Sequence, residues 1–426
     1  MSLPSAASPW RWIPSLYLVQ GLPYVAVMTL SVVAYKNLGV SNTEIALLTS
    51  GFYLPWVLKP LWSPWVDLCG SPRRWVVGLQ LAIALALLAL AAALRTPHWL
   101  LASVAVFWLL AFASATHDIA ADGFYLQALP PRAQAAFVGV RSAAYRAAMI
   151  GGQGGLVVLA GTLIAAGFGV ASAWSVVFSL LAAVFVAAAL LHRRVLPRPA
   201  PAALPVERPT LRAMRGVFAA YFRRPEIGRA LAFVLLYRLG EAQLLKLVVP
   251  FLLDPREAGG LGLDTAQVGW VYGTLGIGAL TAGGLLGGLW IARRGLERCL
   301  WPMLLATHLP NLLYVALAVL QPASLAAVGL CVVLEQFGYG LGFTAFLVVL
   351  LRLAQGPHPV AHYAIGTGLM ALGMMLPGLV AGALQSVLGY PAFFVWACVA
   401  TLPSFVAAAA LRLPREEAAG PAGVPA

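Results

Sequence analysis

Runs of about twenty apolar residues recur along all 426 residues of the chain, and they decide what it can fold into. A run of that length crosses the hydrocarbon core of a bilayer as a helix. Only helices and closed barrels satisfy their own backbone there. Twelve candidate spans lie near 13–35, 44–64, 75–94, 99–123, 136–165, 171–191, 229–253, 266–290, 300–320, 325–350, 360–387 and 392–411. With 61% hydrophobic and 10% charged residues, a water-soluble domain is excluded. The fold class expected is an all-α membrane protein with twelve transmembrane helices.

A net charge of +13 first suggests a nucleic-acid partner, but the placement of the charges argues otherwise. Of 27 Lys and Arg, 19 sit in loops on one side of the spans. Three (Lys36, Arg95, Arg256) sit on the other side, and five (Lys59, Arg141, Arg146, Arg238, Lys246) lie inside spans. This positive-inside pattern predicts both termini and the central linker on the cytoplasmic side of the plasma (inner) membrane, and no nucleic-acid partner.

The linker, 192–228, is the one long polar stretch, and prolines at 197, 199, 201, 205 and 209 forbid a helix through its first half. From Leu211 to Phe222, Leu211, Met214, Val217, Phe218 and Tyr221 share a helical face, with Arg212 and Arg215 off it. That pattern predicts a basic amphipathic helix lying on an anionic bilayer surface. The chain thus divides into an N-terminal part (1–191), the linker, a C-terminal part (229–412) and a small-residue tail (413–426) that reads as disordered. The first span lacks the charged flank and cleavage site of a signal peptide, so it reads as a retained anchor. Cys69, Cys299, Cys331 and Cys398 have no metal-ligand spacing and read as free thiols. No metal or cofactor is expected.

The two parts repeat one pattern. Leu38-Gly39-Val40-Ser41 leads to Glu44, and Leu261-Gly262-Leu263-Asp264 leads to Gln267, both with capping-box spacing. Downstream, Asp67-x-x-Gly70 followed by Arg73-Arg74 parallels Ala292-Arg293-Arg294-Gly295 followed by Arg298. Two six-helix halves, a long central loop and a glycine–arginine turn after the second helix of each half resemble the major facilitator fold. The resemblance implies a substrate site between the halves at mid-membrane, alternating access, and a gating role for Asp67, Arg73, Arg74, Arg141, Arg293 and Arg294. The first turn carries Leu68 where a basic residue is usual, and the second has lost its acid at Ala292.

Inside the spans, polar residues mark candidate sites. Gly21-Leu22-Pro23 is expected to break the first span, either as a packing kink or to place Gln20 and Tyr24 on the cavity wall. Lys59 reads as a snorkelling, structural cation. Asp118 and Asp122 share one helix face, beside His117. Asp122 is expected to pair with Arg141, and Arg146 either meets Asp118 or faces the cavity. Arg238, Glu241 and Lys246 share an arc of about 140°, which must face the interior, and Arg238–Glu241 is spaced to neutralise itself. Glu335 lies at mid-bilayer with no basic residue in its own span, so it is the leading proton-coupling candidate unless it is locked to Arg238 or Lys246. Asp118 and Asp122 complete the proton-coupling set. The cargo-binding set is Gln20, Tyr24, His117, Arg146, Arg238, Glu241, Lys246 and Gln336. A second break is expected at Pro377-Gly378.

Four stretches, LPWVLKPLWSPWVD, THDIAADGF, EQFGYGLGFTAF and AHYAIGTGLMALG, together resemble the AmpG-like muropeptide permeases of the peptide–acetyl-coenzyme A transporter family. Gly21-Leu22-Pro23, Asp118, Asp122, Glu335, Gly340 and Gly342 match the family pattern. The resemblance implies a proton-driven importer of GlcNAc–anhydro-muramyl peptides. The partners it implies are a small-molecule substrate, protons and lipid, with the protein acting as a monomer. His117 and His362 stand where glutamine is expected, Gly123-Phe124-Tyr125 replaces an Ala-Tyr-Arg-like run, and Met374 takes the place of an arginine. These departures bear on cargo, and a siderophore or another sugar is the alternative. No His-Glu-x-x-His, Gly-x-Ser-x-Gly or cysteine–histidine cluster points to an enzyme.

Overall fold

Every element of the computed structural model is helical, as backbone satisfaction inside a bilayer demands, and no strand occurs among the described residues. Those residues are 8–68, 71–197, 211–355 and 358–411. Cys69, Gly70, Arg198, Arg208, the prolines from 199 to 209 and the tail 413–426 lie outside them, as do the side chains of Asp67, Arg212 and Met214.

The N-terminal group comprises α1 (Pro9–Asn37), α2 (Asn42–Gly51), α3 (Leu54–Leu68), α4 (Pro72–Ala93), α5 (Trp99–Ala128), α6 (131–165) and α7 (Val170–Val195). The expected linker helix is present as α8 (Leu211–Phe222). The C-terminal group comprises α9 (Ile227–Leu236), α10 (Leu239–Leu253), α11 (Thr265–Arg294), α12 (Leu296–Leu320), α13 (Leu325–Ala354), α14 (Pro359–Val399) and α15 (Leu402–Ala410). Among the described residues, nine runs are long and apolar enough to cross a membrane, with α14 and α15 counted as one continuous run, Ala361–Ala410.

The internal repeat is visible in the backbone. Ser41 accepts from the Glu44 amide while Glu44 reaches back to Ser41, and Asp264 and Gln267 do the same. Gly39 (φ 82°) and Gly262 (φ 65°), two residues before each cap, both adopt the left-handed turn that only glycine enters freely. Two expected breaks are absent. The α1 helix runs through Gly21-Leu22-Pro23 and widens into a π turn at Ala26–Leu30, just beyond the proline. Gly21 instead packs on Ala148, where a Cβ would approach to 2.8 Å. Likewise α14 is continuous through Pro377-Gly378 and turns at Gly389 (φ 71°, ψ 167°).

The two groups meet along three seams. The α2 and α3 helices lie against α14, α6 lies against α11, and α10 lies against α1 and α2. Two π turns, Gly151–Leu156 and Gly269–Gly276, face each other in the α6–α11 seam. The approach is close enough that a Cβ on Gly273 would sit 2.0 Å from the Gln153 carbonyl oxygen. The amphipathic α8 does not float free. Tyr221 is buried against His362, and Arg224 donates to the carbonyls of Leu353 and Gln355 and contacts His362.

Candidate functional site

The chain changes direction at Tyr237–Arg238, between α9 and α10, where Arg238 leaves helical geometry (φ −110°, ψ 16°). That break re-aims the arginine. Its guanidinium donates to the Tyr339 hydroxyl and lies over the rings of Tyr339 and Phe343, 5.2 and 5.1 Å from their centroids. The expected Arg238–Glu241 pair does not form, because i,i+3 spacing holds only in an unbroken helix. Glu241 is fully buried, with neither carboxylate oxygen hydrogen-bonded. Lys246 donates to Thr49 Oγ1 at 2.9 Å across the seam with α2. Glu335 is fully buried and accepts from the Gln336 amide at 2.9 Å and the Tyr314 hydroxyl at 3.2 Å. It is therefore locked to neither Arg238 nor Lys246. On the facing α1, Tyr24 lies within hydrogen-bonding reach of Tyr53, with its ring edge-on to Trp56 at 5.3 Å. Gln20 is buried with an unpaired carbonyl. Arg238, Glu241 and Lys246 thus lie on or at the start of α10, which packs against α1 and α2, while Glu335 and Gln336 lie on α13 behind it.

Asp118, Asp122, Arg141 and His117 are engaged inside the N-terminal group. Asp118 accepts from the Trp56 indole at 3.1 Å and lies 3.8 Å from Lys59, not against Arg146. Asp122 and Arg141 form the expected pair at 2.7 Å. Tyr17 donates to the same carboxylate at 3.2 Å, and its ring lies 4.4 Å from the guanidinium. His117 is a correction. Its ring meets Gln80 of α4, which in turn meets His192 of α7, so it packs within its own group and not on the cavity wall. Arg146 is partly buried and has no ion-pair or hydrogen-bond partner among the described residues.

A family model described as Major Facilitator Superfamily matches residues 15–355. The chain belongs to that superfamily. Within it, the chain is AmpG-like. It is 27% identical over 376 residues to the anhydromuropeptide permease of Escherichia coli K12, covering 85% of this chain and 72% of the relative. A putative transporter AmpG 4 of Rickettsia conorii is 25% identical over 404 residues, covering 91% and 93%. Among solved structures, the nucleoside transporter NupG superposes with a TM-score of 0.70 at 15% identity, covering 94% of this chain and 99% of that one. A D-xylose-proton symporter gives 0.70 at 14%, covering 97% and 99%. These relatives are transporters, not enzymes.

Against the major facilitator fold, the gating candidates separate from the contacts that join the two groups. Arg73 donates to the carbonyls of Arg193 and Leu196 (3.1 Å for the latter), so it caps the end of α7. Arg74, Arg293 and Arg294 are exposed. The groups are instead clasped on the face opposite the linker, by residues that sequence reasoning missed. Lys36 pairs with Asp254 at 2.5 Å, and Tyr390 donates to the same carboxylate at 2.5 Å. The Asn42 side-chain nitrogen lies 2.9–3.1 Å from Asp254, Gln385 and Tyr390, which share its two hydrogens, and its carbonyl accepts from Lys36 at 2.7 Å. Asn37 accepts from Thr265 at 3.1 Å. Outside this clasp, a cavity of about 620 Å³ opens among Lys36, Ser41, Gly161, Asp254 and Asp264. Lys36 was one of three basic residues on that face. Glu44, Asp254, Glu257 and Asp264 all lie on the same face, so nothing in the sequence singles out Asp254 as its partner.

Proposed function

We propose that this major facilitator is an inner-membrane importer that couples proton entry to uptake of muropeptides, the GlcNAc–anhydro-muramyl peptides, by alternating access. One observation carries the reading: Arg238, Glu241, Lys246 and Glu335 are all buried, the first three on or at the start of α10, which packs against α1 and α2, and Glu335 close enough to Glu241 for their charges to interact. Burying four charges costs several kcal/mol each, so such groups persist where they serve cargo or ions. A relative named as an anhydromuropeptide permease supports the cargo class.

In this reading there are twelve crossings in two six-helix halves, joined by the linker and carrying both termini in the cytoplasm. The α2–α3 and α9–α10 pairs each count as one broken crossing. Asn42 to Leu68 and Ile227 to Leu253 are each about 40 Å of helix, enough for a hydrocarbon core of roughly 30 Å. The Ala361–Ala410 run counts as two crossings hinged at Gly389. Arg238 and Lys246 hold anionic groups of the cargo, with Gln20, Tyr24 and Gln336 beside them, and Glu335 carries the proton. The Lys36–Asp254 clasp is the closed outer gate, so the structure corresponds to a state sealed from outside. The protein works as a monomer.

The test is uptake of labelled GlcNAc–anhydro-muramyl tripeptide into right-side-out vesicles holding the protein, with and without an uncoupler. Uncoupler-sensitive accumulation, abolished by Glu335→Gln while counterflow exchange survives, is the expected result. Absence of uptake by demonstrably folded protein overturns the cargo, and uncoupler-insensitive accumulation overturns proton coupling.

A further inference from the structure

The contacts between α9–α10 and α13 have a register. Phe233 stacks on Phe346 with centroids 5.9 Å apart, Tyr237 donates to the Gly342 carbonyl at 3.0 Å, and Arg238 donates to Tyr339. As numbers rise on one helix they fall on the other, so the two run antiparallel. Beyond the break, Glu241 and Glu335 lie close enough for their charges to interact, with Tyr272 and Tyr314 near both. Both acids are fully buried. Three of their four carboxylate oxygens, both on Glu241 and Oε1 on Glu335, have no donor among the described residues.

Like charges this close, with so few donors, cannot both be sustained in a dry interior. The polar groups around them do not resolve the conflict. Arg238 lies close enough to Glu241 for their charges to interact but gives it no hydrogen bond, its guanidinium donating to Tyr339, and Lys246 reaches away to Thr49, so Glu335 has no cation against it among the described residues. Tyr314 and Gln336 both give their hydrogen bonds to Glu335 Oε2, the one oxygen already served. Tyr237 gives its hydroxyl to Gly342, and Tyr272 lies close enough to both acids for their charges to interact.

We propose that Glu241 and Glu335 act as one carboxylate pair that carries the transported proton, only one of them being ionised at a time. Glu241 is thereby moved from the cargo-binding set to the proton-carrying set. A proton taken from outer water neutralises one acid when the outer gate is open. Its release to inner water returns the pair to a single charge, and like-charge repulsion keeps the second proton bound, so one proton is carried per cycle. This deepens the proton-coupled reading above and rests on it for direction, but the pairing itself can be tested without cargo.

The first measurement is infrared titration of the protonated-carboxyl stretch in reconstituted full-length protein, for wild type, Glu241→Gln, Glu335→Gln and Glu241→Asp. A pair predicts that removing either acid moves the titration midpoint of the other by about one pH unit or more. Glu241→Asp keeps the two-step titration. An unmoved midpoint in both glutamine variants overturns the pairing. The second measurement is uphill muropeptide accumulation in the same liposomes under an imposed pH gradient. Glu241→Gln is expected to lose it while retaining counterflow exchange. A moved midpoint with full uphill accumulation overturns the proton-carrying role of Glu241. Lack of wild-type accumulation condemns the cargo reading and leaves the titration to decide the pair.

Discussion

Asp254→Ala should open the outer face. The Asp254 carboxylate receives Lys36 at 2.5 Å, Tyr390 at 2.5 Å and Asn42 at 3.1 Å, with the Lys36 and Asp254 side chains 14% and 12% exposed. Exposed ion pairs contribute about 0–1 kcal/mol, and breaking a buried pair costs about 3–5 kcal/mol. A pair this far from solvent, with Lys36 keeping only the Asn42 carbonyl after truncation, falls between, at about 2–3 kcal/mol. In the outward-open state water solvates both partners, so the loss falls on the closed state alone. The equilibrium then shifts outward by roughly 30- to 150-fold. The reporter is Ser50→Cys, in a background with Cys69, Cys299, Cys331 and Cys398 replaced. Ser50 is fully buried about two turns inward of Asn42, and Gly378 packs on it from the other group. A membrane-impermeant maleimide added to right-side-out vesicles should label it slowly in the parent and faster by that factor after Asp254→Ala. The charge-swapped pair Lys36→Asp with Asp254→Lys should restore slow labelling. Equal rates in parent and Asp254→Ala would refute the assignment of the clasp as the gate.

Other outcomes follow from particular contacts. Gly273→Ala places a Cβ 2.0 Å from the Gln153 carbonyl oxygen, so the α6–α11 seam must part. A loss of about 1–3 kcal/mol is expected, read as a lower melting midpoint of purified protein, whereas Gly155→Ala meets nothing within 4 Å and is tolerated. Arg141→Ala removes both the pair with Asp122 and the stack on Tyr17, but the side chains are about a third exposed, so the cost stays near 1 kcal/mol. Arg141→Lys should recover the charge without the stack and melt between the two. Arg224→Ala frees the end of α8 from the Leu353 and Gln355 carbonyls and should speed limited proteolysis near Leu211–Phe222 several-fold.

What was legible in the sequence was local or periodic. Capping boxes are three-residue devices, so Ser41–Glu44 and Asp264–Gln267 could be read directly, and the face of Leu211–Phe222 follows from a 3.6-residue period. Asp122–Arg141 lay near enough in chain and depth to be matched. The proline breaks misled because a bilayer helix can widen a turn, as at Ala26–Leu30, and need not end. His117 misled because its neighbours Gln80 and His192 come from distant helices whose rotation the pattern leaves open. The clasp was illegible for the same reason: Lys36 and Asp254 sit at helix ends more than two hundred residues apart, and nothing local marks one as the partner of the other.

The two ends of the mechanism share one rigid element. The α10 helix begins just after the break at Tyr237–Arg238, carries Glu241 and Lys246, and delivers Asp254 to the clasp within 15 helical residues, about 22 Å. The helix is continuous through its internal Pro250, so tilting it as a unit to part Lys36 from Asp254 also moves Glu241 relative to Glu335 and Lys246 relative to Thr49. Below the break, α9 is held to α13 by the Phe233 and Tyr237 stacks on Phe346, which leaves Tyr237–Arg238 as the place where the tilt is absorbed. Thermodynamic linkage then makes the coupling reciprocal. Asp254→Ala should move the titration midpoint of the carboxyl pair, and Glu335→Gln should change labelling at Ser50→Cys by the same free energy with the sign that linkage requires. If each substitution leaves the other readout untouched, gate and acid pair are independent, and α10 is only a scaffold on which both happen to sit.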